Sequence, residues 1–285
     1  CDVEQCGKVC ERIYNESGLY KYITQAMEGK NVLHMLQGSR ESHRHWWLQH
    51  RFEKYDNAFG NGTYSIRSIQ ARATGTVNIP AGSVYKFIPA ITTYFGYGVA
   101  STVVDAPTER TAGTEYTASV YKDANDVAQS IGVGNLIYIY NANNLAAIDL
   151  SGYITALGSL NVGDARDVYG KSKLTKIVLG DGVNTNQYLT NISGLSYITG
   201  LEELDIRGYQ AITNIDLDDL FNLHVFKAQD SGLTSFKPAS SSTLTSVSLP
   251  SSIMSIEFNG NTINSLTYTP TKSLQSLSLT NINGS

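Results

Sequence analysis

Charge is scarce in this chain. Only 16% of its 285 residues are Asp, Glu, Lys or Arg, against ~25% in an average globular domain. Ser, Thr, Asn, Gly and 18 tyrosines take their place, a composition that favours strands and turns over helices. The net charge of −4 gives no overall attraction to nucleic acid or to an anionic membrane. Long apolar runs are missing too; none approaches the ~18 residues of a membrane span. Cysteine is confined to Cys1, Cys6 and Cys10. Cys6 and Cys10 would share one helix face, but zinc wants four ligands and no second pair exists. Free thiols in a reducing compartment are the expectation. Also absent are a G-x-S-x-G elbow, a P-loop and a G-x-G-x-x-G after a strand. No catalytic residue, metal ligand or cofactor is therefore expected. The chain opens on Cys1 and ends at "SLTNINGS", inside a repeating pattern, so it is expected to be part of a longer protein.

What is present divides into three regions. The expected class is α+β, dominated by β. A helical segment spans 1–62, an antiparallel β-sandwich-like module 63–143, and a leucine-rich-repeat-like β-solenoid 144–285. In the first region "LQGSRESHRHWWLQHRFEKYD" (36–56) carries an apolar stripe of Leu48, Phe52, Tyr55 and Phe59 at helical spacing, with Ser39 as a cap. A basic, aromatic edge of Arg40, Arg44, Trp47, Arg51 and Lys54 runs beside it, and Trp46 joins these as an interface candidate. "GNGTY" (60–64) ends the helix. The second region alternates in "YSIRSIQARATGTVNI" and is rich in β-branched and aromatic residues in "SVYKFIPAITTYF" and "NLIYIYNA".

From Leu145 onward one pattern recurs: apolar-x-x-apolar-x-apolar. It reads "LAAIDL" (145), "LTKIVL" (174), "LEELDI" (201), "ITNIDL" (212), "LHVFKA" (223) and "LTSFKP" (233). It continues as "LTSVSL" (244), "IMSIEF" (253), "INSLTY" (263) and "LQSLSL" (274). Alternate units from 201 onward are about 20 residues apart, at the short end of the leucine-rich-repeat range. Two triplets per period imply strands on both walls of a flattened coil. The expected inward core includes Leu201, Leu204, Ile206, Leu244, Val247, Leu249, Leu274, Leu277 and Leu279, with Ser246 and Ser248 facing out. One turn cannot fold alone, because each residue ordered costs ~1–2 kcal/mol and a buried Leu returns ~1.5–3. Stacked turns cover each other's open faces. The asparagine that usually follows such triplets is met only at Asn261. "LGDGVNTNQYLTNISG" and "LNVGDARDVYG" read as irregular loops. An uncovered last triplet would invite association.

His34, His43, His45 and His50 include no pair at the four-residue spacing of an H-E-x-x-H site, and read as surface or interface side chains. The acidic groups Glu202-Glu203-Asp205 and Asp216-Asp218-Asp219 do not recur from turn to turn, so they read as solenoid surface. The Arg40–Lys54 edge resembles a nucleic-acid grip, yet residues 1–63 hold eight basic and eight acidic side chains, and no net field supports one. A subunit interface is the expected role. The outward wall positions are small and hydroxylated, not the Trp, Tyr and Arg of binding hot spots.

"NVLHMLQGSRESHRHWWLQHRFEKYDNAF", then the strand block, then "NLIYIYNANNLAAIDLSGYITALGSLNVGDARDVYGKSKLTKIVLGD" form a distinctive order. It resembles the large tail structural proteins of podovirus-type bacteriophages, notably the muzzle-type proteins of crAss-like phages. His45 stands where that family pattern has Arg. The repeats also resemble those of BspA-type leucine-rich surface proteins. The phage resemblance implies a virion component without catalytic residues, assembled in the host cytoplasm. Its partners would be copies of itself and other tail proteins, with host-surface contact as a further role. The rival expectation is a secreted bacterial leucine-rich-repeat adhesin that binds host protein or glycan.

Overall fold

The computed structural model describes residues 68–95, 97–99, 102–103, 108–119, 129–167 and 169–282. The expected helical segment 1–62, with its Arg40–Lys54 edge, the cysteines and four of the histidines, lies outside the described residues. Within them the chain is β-dominated. The helical pieces described are single 3₁₀ turns at Ala142–Asn144, Ser151–Tyr153 and Leu195–Tyr197.

The strands in chain order are β1 (Ser68–Ala73), β2 (Val84–Pro89), β3 (Thr93–Phe95), β4 (Tyr97–Val99), β5 (Thr102–Val103), β6 (Thr108–Arg110) and β7 (Tyr116–Ser119). Then come β8 (Leu136–Tyr140), β9 (Leu145–Asp149), β10 (Leu157–Asn161), β11 (Lys176–Val178), β12 (Ile192–Ser193), β13 (Glu203–Asp205) and β14 (Val225–Lys227). The last are β15 (Ser235–Phe236), β16 (Thr243–Leu244), β17 (Ser246–Ser248), β18 (Ser255–Asn259), β19 (Thr262–Ile263), β20 (Leu266–Thr267) and β21 (Ser276–Thr280).

An eight-stranded sheet in the order β20-β17-β14-β13-β11-β9-β2-β7 is the spine of the molecule. From β9 to β20 its strands are parallel, and register places Ile148, Ile177, Leu204, Phe226, Val247 and Leu266 in one column. From Leu201 onward these are the central apolar residues of alternate repeat units, so the sequence repeat becomes the rise of a parallel ladder. Parallel neighbours cannot be joined by a hairpin. The intervening residues travel across the molecule, where β15, β18 and β21 form a second parallel ladder. Phe226 of the first ladder stacks on Phe236 of the second at 5.2 Å, and Phe258 meets Phe236 edge-on at 5.9 Å. The inner faces of the two ladders thus share one core.

The antiparallel strands do not stand apart. β2 pairs antiparallel with β9 and β7, extending the eight-stranded sheet. β1 pairs antiparallel with β10 and β8, in a six-stranded sheet whose far edge is the parallel pair β10–β12. Hydrogen bonding is therefore unbroken at 143/144, where sequence composition places a division. One apolar cluster runs from Ile69 through Tyr153 to Phe258.

Of the expected core, Leu201, Leu204, Ile206, Leu244, Val247 and Leu249 are buried. Leu274 is half-buried, while Leu277 and Leu279 are 56% and 57% exposed, which corrects their assignment. They lie on β21, which has a strand neighbour on one side only, so no described rung covers them. Ser248 is a second correction. It is only 6% exposed, and its Oγ has no hydrogen-bond partner among the described residues. Ser246 is exposed as expected.

Candidate functional site

Polar chemistry gathers on the outer face of the parallel ladder. Alternation turns Lys176, Glu203 and Val225 outward in one column, and Val178, Asp205 and Lys227 in the next. Three adjacent rungs thereby bring two ammonium groups to one carboxylate. Glu203 Oε2 lies 2.9 Å from Lys176 Nζ, and Oε1 lies 2.7 Å from Lys227 Nζ. Burial pushes the Glu203 carboxyl up, but hydrogen bonds from Lys227 and Lys176 outweigh it and hold it below the usual glutamate value. Beside it Asp205 is 1% exposed, and Arg207 closes over it. Arg207 Nη2 donates to Asp205 Oδ2 at 2.7 Å, and Nε to Oδ1 at 2.9 Å. That hydrogen bonding raises the Arg207 pKa. A nearly buried carboxylate needs such a partner, since an unpaired one would cost several kcal/mol.

These groups floor a groove of about 250 Å³ that Lys86, Ile88 and Glu115 also line. That is smaller than the ~300–1,000 Å³ of sites for drug-sized ligands. Lys86 lies 3.8 Å from Glu115, so the groove holds closely spaced opposite charges. A general acid needs a carboxyl held protonated near neutrality, and Glu203 is moved the opposite way. The arrangement suits a cross-strand brace: it ties the rungs β11, β13 and β14 through side chains as well as backbone. Among the described residues no group of three or more His, Cys, Asp or Glu is placed to hold a metal ion.

Exposed aromatic side chains precede the ladder strands: Tyr169, Tyr197 and Phe221 lie in the segments that lead into β11, β13 and β14. The Arg166 guanidinium lies over the Tyr197 ring, 3.9 Å from its centroid, a cation–π contact worth ~0.5–1 kcal/mol when exposed. Backbone hydrogen bonds at 2.9 Å from Tyr169 and Lys171 to Asp167 Oδ1 hold the turn that carries Tyr169.

Neither group is what the residues alone singled out. The expected interface residues Arg40, Arg44, Trp46, Trp47, Arg51 and Lys54 lie outside the described residues. The Lys176–Glu203–Lys227 brace was missed, although aligning "LTKIVL", "LEELDI" and "LHVFKA" column by column exposes the alternation of sign. The exposed aromatics were missed because hot-spot residues were sought on the walls. Asn186 was also missed: it lies in a stretch read as loop, yet is buried and bridges two turns. Its Nδ2 donates to the carbonyls of Ile154 at 2.6 Å and Leu157 at 2.9 Å. Asn261 makes the equivalent link to the Ala239 carbonyl at 2.8 Å. No family model, curated protein or solved structure matches the chain.

Proposed function

We propose that this chain is a non-enzymatic structural component of a bacteriophage tail, of the muzzle or tail-assembly type. It works through subunit packing and a rigid repeat scaffold. In this reading a helical docking segment precedes an antiparallel sandwich-like module and a leucine-rich-repeat-like solenoid. Its partners are copies of itself and other tail proteins, and it is carried in the virion after assembly in the host cytoplasm. The observation that carries the reading is mechanical. Stacked rungs share one continuous core with the antiparallel strands, and ion pairs brace the rungs from outside. The resemblance of residues 32–59 and 135–180 to muzzle-type tail proteins supplies the virion setting.

The test is on particles. Mass spectrometry of purified virions from the source should find the chain in fixed stoichiometry with other tail proteins; absence from intact particles would refute the assignment. Reversing Arg44 and Arg51 to Glu should block assembly while leaving the melting temperature unchanged, and full yields of particles would sink the docking role of the segment.

The exposed Tyr169, Tyr197 and Phe221 favour a second reading, a leucine-rich-repeat surface adhesin that binds host protein or glycan. Binding of the purified chain to host-cell glycans, lost in Tyr197→Ala with Phe221→Ala, would support it over the tail assignment.

A further inference from the structure

A second pocket, of about 250 Å³, is lined by residues that follow β11, β13 and β14. Parallel register brings the ends of these three strands side by side, so Asn184 and Thr185, Arg207, and Gln229 and Asp230 meet around one space.

Several of these groups keep hydrogen-bonding capacity. The bonds from Arg207 to Asp205 use Nε and Nη2. Nη1 lies against Gly182 at the pocket wall, where a Cβ would stand 2.6 Å from it. Gln229 Oε1 is buried and has no hydrogen-bond partner among the described residues, a costly condition for an acceptor. Asp230 takes the left-handed backbone, φ +59°, that Gly208 takes one rung earlier at +79°. An exposed carboxylate thus stands where the earlier rung has no side chain.

The lining narrows the class of ligand. Asp205 and Asp181 both act on the Arg207 guanidinium, and Asp230 adds a third carboxylate, so a free anion would meet more negative charge than positive. The one aliphatic side chain larger than a methyl in the lining is Val183, 85% exposed, which is too little for an apolar guest. What remains is a neutral molecule that donates and accepts at neighbouring atoms, as hydroxyl groups do.

We propose that this pocket binds a single sugar unit. One hydroxyl accepts from Arg207 Nη1 and donates to Asp230, a second donates to Gln229 Oε1, and Val183 covers the C–H face of the ring. Tyr197 and Phe221 do not line the pocket, and the site needs no virion. Its failure would therefore leave both readings above standing.

Glucose, galactose, mannose and N-acetylglucosamine, titrated into the full chain and followed by saturation-transfer NMR, are the probes. At least one should bind saturably, in the millimolar range expected for so small a ligand. Asp230→Gly keeps the left-handed backbone without strain, and Gln229→Met removes the unpaired acceptor at similar volume. Each variant should melt at or above the wild-type temperature and bind about tenfold more weakly, as loss of one such hydrogen bond implies. Equal binding of the methyl glycoside supports the end of a glycan as the source, and loss of it supports the free sugar. No saturable response to any of these sugars, or undiminished binding by both variants, would overturn the proposal. So would displacement of the sugar by inorganic phosphate, which would assign Arg207 to an anion site.

Discussion

A single side chain in this molecule is judged by which face of its rung it occupies. Leu204 sits in the middle of the apolar column with no exposure, between Ile177 and Phe226. Leu204→Asp would bury an unpaired carboxylate and should remove the cooperative urea transition. Ser246, two rungs along but facing out, should accept Asp with a change within about 0.5 kcal/mol. Equal effects would mean the facing is wrong. Ser248 is not a neutral control, because it is buried and its hydroxyl has no partner among the described residues. Glu203 gives a pH signature. Its folded pKa lies below the unfolded value, so its contribution is present above about pH 4.3 and is lost as pH falls through the folded pKa. Glu203→Gln should flatten that acid limb of a stability-against-pH curve. An unchanged limb would show that Lys176 and Lys227 contribute nothing through this carboxylate.

At the scale of elements, the ladder strands are short, three residues in β11, β13 and β14, and the corners between them carry the fit. Beyond each strand the hydrogen bonding continues: the Ile206 amide donates to Lys227 O at 2.8 Å, and the Ala228 amide to Ser248 O at 2.8 Å. Glycine matters where one turn presses on another. Gly208 has φ +79°, and a Cβ there would stand 2.3 Å from the Asn184 carbonyl oxygen. Gly82 has the same φ of +79° and nothing within 4 Å. Gly82→Ala should therefore cost only the left-handed backbone penalty of ~1–2 kcal/mol. Gly208→Ala should cost clearly more, because a backbone carbonyl must also move. Denaturant midpoints of the two variants measure the difference; equal shifts would show that the corners have slack. Asn186 and Asn261 close other corners by giving buried amides to carbonyls of the preceding turn, a bond whose loss would strand those carbonyls.

For the whole molecule, the continuity of the sheets across 143/144 sets how it unfolds. β9 and β10 each have an antiparallel neighbour from the earlier part of the chain and a parallel neighbour from the later part. Calorimetry should therefore show one transition for the antiparallel strands and the ladder together. Two separated peaks, with residues 144–285 melting independently, would show that the shared sheets couple them weakly.

The repeat units were legible because strand alternation has a fixed period of two and a rung needs the same apolar residues each time. That part the chain determines locally: β content, the inward triplets, and the length of each turn after Leu201. The closure of the brace, the exposure of the aromatics, the Asn186 bridge and the exposure of Leu277 and Leu279 were decided by the tertiary structure. Lys176, Glu203 and Lys227 are separated by more than twenty residues, and meet only because parallel register lines them up. Leu277 has the sequence of a core residue and lacks its burial, since cover is supplied by a neighbouring rung, not by the residue itself. Periodicity fixes which way a side chain faces; packing decides what it meets there.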